Sequence, residues 1–214
     1  MTQLDFLKEK YGDHLLFVGL RGSHCLGLAL KTSDVDYLAI VDFETTKCKE
    51  LQNDTAVYGV NLAHERILNG SFNFVEALTS PVYCSDDFDL QSYLSIFDTE
   101  EYEYCFKYHI WGYIKNLLKL YDKKDDNRKF GAKIILFYRL FKEYSNIIDY
   151  YKSHKLPQEL CDLYFRIRGF GLTEEDKLLI EHIREWREDK AIKQQTKDDC
   201  NYYHFLIKEH FKEV

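Results

Sequence analysis

A continuous apolar run, Leu15-Leu16-Phe17-Val18-Gly19-Leu20, breaks at Arg21-Gly22-Ser23, and after a spacer of ten residues Asp34-Val35-Asp36 opens a second apolar run reaching Val41. Runs this short suit buried strands rather than helices. Each part of the pattern has a physical consequence. Gly22 removes a side chain where the backbone must approach a bound group closely. Ser23 and the amides after it, at a turn into a short helix expected over 23–30, can donate hydrogen bonds to phosphate oxygens. Asp34 and Asp36 stand two apart on an expected strand over 34–41, so both side chains point to one face. Two carboxylates side by side repel unless a divalent cation lies between them, and Mg²⁺ (or Mn²⁺) accepts such a partial shell, completed by water and substrate phosphate. A solvated strand edge or a pair of helix caps also produces Asp-x-Asp, which alone carries almost no weight. The order of strand, Gly-Ser turn, Asp-x-Asp and apolar continuation favours the metal and phosphate reading.

The remaining pattern divides the chain. A helix is expected over 2–11, capped by Thr2 and stopped by Gly12. A third strand is expected over 55–62, followed by short helices near 63–69 and 72–79. Beyond residue 100 the periodicity becomes that of long amphipathic helices, over 105–121, 129–151, 158–167, 173–195 and 200–212, with Thr173 as an N-cap before three acids. The expected fold is α/β (α+β): a small mixed-sheet domain over 1–100 and a helical domain over 101–214.

Charge is uneven along the 214 residues. Residues 1–104 carry 7 Lys and Arg against 18 Asp and Glu, whereas residues 105–155 carry 12 against 5. A basic middle beside an acidic first half fits an anionic substrate held between two parts of the chain. Lysines on solvated helix faces explain the same numbers, and charge alone favours that plainer account. Cys25, Cys48, Cys84, Cys105, Cys161 and Cys200 show no Cys-x-x-Cys spacing, so neither a zinc site nor a disulfide framework is expected, and reduced thiols in a cytoplasmic compartment are. No leader and no membrane span is expected, and oligomeric state is left open.

The stretch Gly22-Ser23-His24-Cys25-Leu26-Gly27, ending in Thr32-Ser33-Asp34-Val35-Asp36, resembles the DNA polymerase beta-like nucleotidyltransferase superfamily, and most the RNA repair pathway polymerase-beta-like subgroup. Asn69 to Leu78 is similar to that subgroup's segment after the palm, and Lys129 to Tyr144 with Lys155-Leu156-Pro157 is similar to its later helix and turn. The resemblance implies transfer of a nucleotide from a nucleoside triphosphate to a hydroxyl, on RNA first of all, with two metal ions. Asp34 and Asp36 would hold the metal; Gly22 and Ser23 would bind the triphosphate, with Arg21, His24 and Lys31 as flanking charge. A small-molecule or protein acceptor, and a non-catalytic nucleotide-binding protein, are the alternatives.

The superfamily supplies a third carboxylate from a neighbouring strand. The expected third strand contains none. Asp54 at its start and Glu65 and Glu76 on the following helices are the candidates, and Glu76 matches the subgroup's segment best. The basic set Lys115, Lys119, Lys123, Lys124, Arg128, Lys129, Lys133 and Arg139, in the 115–139 helices, is the candidate path for RNA, with solvated helix surface as an equal alternative.

Overall fold

A computed structural model describes residues 2–44, 48–50 and 55–212. It is a mixed α/β structure whose strands all lie in the first half. The strands are β1 (Leu15–Arg21), β2 (Asp36–Val41), β3 (Cys48–Glu50), β4 (Thr55–Gly59) and β5 (Pro81–Cys84), and they form one sheet in the order β3-β4-β2-β1-β5. The pairings β1–β2, β1–β5 and β3–β4 are antiparallel, and β2–β4 is parallel. Helices α1 (Gln3–Tyr11), α2 (Val60–Leu68), α3 (Phe72–Thr79) and α4 (Leu90–Ile96) surround them. After α5 (Glu100–Lys123) come α6 (Arg128–Glu143), α7 (Ile147–Ser153), α8 (Gln158–Phe170), α9 (Glu174–Glu188) and α10 (Lys190–Lys212). None of the described helices is long and apolar enough to cross a membrane.

The chain forms two compact units. The first is Met1–Tyr102 with Ile148–Lys155, and the second is Glu103–Ile147 with Leu156–Val214. In the first unit, Leu7 of α1 covers one sheet face, burying Leu15, Val18, Ala39, Val41 and Val57. Helices α2 and α3 cover the other, with Tyr58 and Phe74 ring to ring at 4.9 Å. In the second unit α6 packs on both α8 and α9, with Trp186 of α9 edge-on to Tyr138 and Phe141 of α6.

Both anticipated caps form complete boxes, Thr2 with Asp5 and Thr173 with Asp176, and Gly12 ends α1 at a positive φ. Several boundaries differ from the periodicity. The third strand ends at Gly59, which caps α2, so Val60 to Leu62 are helical rather than extended. The expected 129–151 helix is two, because Asn146 turns left-handed (φ 53°) and its N–H is accepted by Glu103 at 2.7 Å. The last break falls at Asp189, whose carboxylate accepts from Ala191 and Ile192 and starts α10. Strands β3 and β5 are too short for periodicity to register, and Pro81 on β5 sits on an edge strand, where its missing N–H costs nothing.

Candidate active site

β1 and β2 run antiparallel with Leu20 opposite Tyr37 and Arg21 opposite Asp36. That pair is the last of the ladder, since the chain leaves the sheet at Gly22. The second strand therefore begins at Asp36, not at Asp34, which lies exposed and unpaired ahead of it. Instead of a helix over 23–30, the turn is a single 3-10 segment, Gly22–His24, closed by Cys25 N–H to Gly22 O (3.2 Å) and by Leu28 N–H to Ser23 O (2.9 Å). Gly22 has φ +74°, and a Cβ there would stand 3.1 Å from Asp36 Oδ2. Only glycine meets both conditions without strain.

Side chains alternate across a strand, so Arg21 shares a face with Gly19 and Asp36 shares it with Leu38. This is the face that α3 covers. A Cβ on Gly19 would fall 2.2 Å from the carbonyl oxygen of Ala77, so helix and strand meet backbone to backbone. The contact sets the height of α3 above the sheet. The neighbouring Glu76, only 4% exposed, then accepts the Gly22 N–H at Oε2 (3.0 Å). Two carboxylates, Asp36 and Glu76, thus lie against one glycine.

The next residues are also anchored. Cys25 is fully buried; its thiol donates to Leu20 O at 3.1 Å, and His154 Nδ1, from the segment after α7, donates to Cys25 O at 3.0 Å. Burial, then the negative charge of Glu76, pushes the Cys25 thiol up to about 12, with Asp36 adding and Ser80 and Arg21 opposing. One thiol therefore feels Arg21, Asp36 and Glu76 together.

Two side-chain nitrogens beside the turn, Arg21 Nε and His24 Nε2, are shielded from solvent and have no hydrogen-bond partner among the described residues. Buried polar atoms without partners are uncommon, and an absent bound group is one standard reason. A 3-10 turn also leaves its first amides unused. Gly22 has given its own to Glu76, so Ser23 and His24 carry the amides available to a phosphate. For a divalent ion the donors are Asp36, half-buried, and Asp34, exposed. Among the described residues no three His, Cys, Asp or Glu side chains are grouped to hold an ion, and a Mg²⁺ held by these two carboxylates would need water and phosphate to complete its shell. Lys31 is exposed.

Of the candidates for a third acid, Asp54 lies outside the described residues, and Glu65 is exposed on α2. Of the two described candidates, Glu76 is the one a contact brings to the turn. Sequence reading missed Gly19, although a glycine inside an apolar strand is a recognised sign of close backbone approach. A cavity of about 480 Å³, lined by Thr79, Pro81, Leu94, Ser95 and the Lys152–Asp98 ion pair, is not lined by the Gly22–His24 turn, Asp34 or Asp36.

The basic set in the second unit is heterogeneous. Arg128 is held bidentate by Asp126 at 2.8 Å, and Arg139 is paired with Glu143. Lys115, Lys119 and Lys123 are exposed at four-residue spacing and so share one face of α5. The five cysteines whose side chains are described are unbridged.

Comparison with known proteins adds no family: no protein-family model matches the chain, and no curated protein matches it.

Proposed function

We propose that the Gly22–Ser23 turn and the two aspartates bind a nucleoside triphosphate with Mg²⁺ or Mn²⁺ and transfer its nucleotide to a hydroxyl acceptor, RNA first among the candidates. The observation that carries this reading is the pair of orphaned nitrogens, Arg21 Nε and His24 Nε2, beside a glycine that has Asp36 against it. Donors and an acid at one turn suit a metal-bound polyphosphate, whose oxygens need the donors and whose cation needs the acid. The resemblance to polymerase beta-like nucleotidyltransferases points the same way.

In this account Ser23, with the Ser23 and His24 amides, holds phosphate oxygens and fixes the direction of the triphosphate. Arg21 and His24 offset the charge that grows on the departing pyrophosphate. Asp34 and Asp36 hold the divalent ions, which when bound polarise the phosphate and lower the pKa of the attacking hydroxyl. In the second unit, the exposed Lys115, Lys119 and Lys123 face of α5 is the candidate for contact with polynucleotide phosphates.

A second reading, binding without turnover, is favoured by one feature: the Glu76 carboxylate is already engaged by Gly22 and is not left over as a third acid. Calorimetric titration with each of the four common triphosphates, with and without Mg²⁺, tests the binding that both readings share. The expected result is metal-dependent binding of at least one, weakened about fivefold to tenfold by Ser23→Ala through loss of one hydrogen bond. No binding of any triphosphate, with Mg²⁺ or Mn²⁺, would refute both.

A further inference from the structure

We infer that Glu76 is a positioning residue: its carboxylate holds the Gly22 N–H and so sets the shape of the turn and the donors it presents. The inference rests on the triphosphate reading of that turn. Three observations carry it. Glu76 Oε2 accepts from Gly22 N–H at 3.0 Å, the geometry of a full hydrogen bond. Glu76 is 4% exposed, so water has little access to compete for that bond. The helix bearing it packs backbone to backbone on β1, with Ala77 seated directly on Gly19, and this brings Glu76 within reach of the turn.

Gly22 is the pivot of the site, left-handed and with Asp36 Oδ2 beside it. Left alone, a glycine here has more backbone freedom than any other residue. The bond from α3 removes that freedom before a ligand arrives, which lowers the ordering cost of binding. It also withdraws Gly22 from the donors facing a phosphate, keeping the anion one residue further along and away from the Glu76 charge. At the far end of the loop His154 fixes the Cys25 carbonyl, so the turn is anchored on both sides.

Glutamine distinguishes positioning from charge. Its amide oxygen can accept the same N–H, whereas it cannot serve as an anionic metal ligand or a proton acceptor. The test follows amide hydrogen exchange at Gly22 by NMR in wild type, Glu76→Gln and Glu76→Ala, and titrates each with inorganic tripolyphosphate and Mg²⁺. Gly22 should be protected in wild type and in Glu76→Gln and exchange at least tenfold faster in Glu76→Ala. Tripolyphosphate affinity should stay within about twofold in Glu76→Gln and fall about tenfold in Glu76→Ala, one hydrogen bond's worth of ordering. If Glu76→Ala is poorly folded, the Gln variant decides alone: protection kept but affinity lost tenfold would mean that Glu76 acts through its charge, overturning the inference. Protection that persists in a folded Glu76→Ala would overturn the clamp itself. Wild-type protein that protects Gly22 yet takes up no tripolyphosphate would instead overturn the triphosphate reading.

Discussion

Replacing Gly19 by alanine tests whether the spacing of α3 and β1 builds the site. The new Cβ would lie 2.2 Å from Ala77 O, 2.7 Å from its carbonyl carbon and 2.9 Å from its Cα. All three are backbone atoms, so no side-chain rotation relieves the overlap. Real contacts at this position need a little over 3 Å, so α3 must retreat by about 1 Å, at the upper end of the ~1–3 kcal/mol typical of overpacking. The same retreat stretches the 3.0 Å bond from Gly22 to Glu76 beyond hydrogen-bonding range. The expected outcome is a fall in Tm on the order of 6–12 °C, together with weaker triphosphate binding. Gly112→Ala is the control, since α5 leaves nothing within 4 Å of a Cβ there. It should gain ~0.5–1 kcal/mol from lower unfolded-state entropy and higher helix propensity. Differential scanning calorimetry of both variants, with titration of the first, gives the answer. An unchanged Tm and affinity in Gly19→Ala would refute the argument that this contact holds Glu76 in place.

Three further outcomes are expected. Arg166, then the Thr173 backbone and hydroxyl, hold the Asp176 carboxyl below its ordinary 3.8 against the opposing effect of burial. Its contribution is complete above that value and fades as pH falls through the lowered one, so Asp176→Asn should cost about 2 kcal/mol at pH 7. The gap from wild type should close in acid, and a pH-independent gap in chemical denaturation would contradict it. Cys25, buried and raised to about 12, should resist iodoacetamide at pH 8, where its thiolate fraction is on the order of 10⁻⁴, while exposed Cys84 reacts. Equal labelling of the two by peptide mapping would overturn the burial argument. Changing Lys115, Lys119 and Lys123 together to glutamine should lower the slope of log RNA affinity against log salt by roughly 2, and an unchanged slope would remove this face from RNA contact.

Local signals in the sequence were legible where local physics decides the structure. The apolar run from Leu15, the break at Gly22-Ser23 and the caps at Thr2 and Thr173 each follow from neighbours within a few residues. Boundaries set by distant partners were not. Asn146 breaks a helical pattern because Glu103 accepts its N–H, and β2 begins at Asp36 because β1 runs out at Arg21. The sequence could name Glu76 as a candidate acid. It could not reveal that Glu76 meets Gly22, because that contact spans 54 residues and depends on Gly19 admitting α3. Nor could periodicity show that Ile148–Lys155 returns to the first unit and fixes Cys25 through His154.

The most direct test of the central proposal is transfer itself. Wild type and Asp36→Asn are each incubated with α-labelled triphosphates and Mg²⁺, with and without RNA, and the label is followed on RNA, on protein and in small molecules. The account predicts label on RNA with wild type and at least a hundredfold less with Asp36→Asn, whose fold should be intact because removing one carboxylate from beside Gly22 relieves repulsion. Equal transfer by the two proteins would contradict the assignment of Asp36, and no transfer to any acceptor by wild type that binds triphosphate would contradict catalysis.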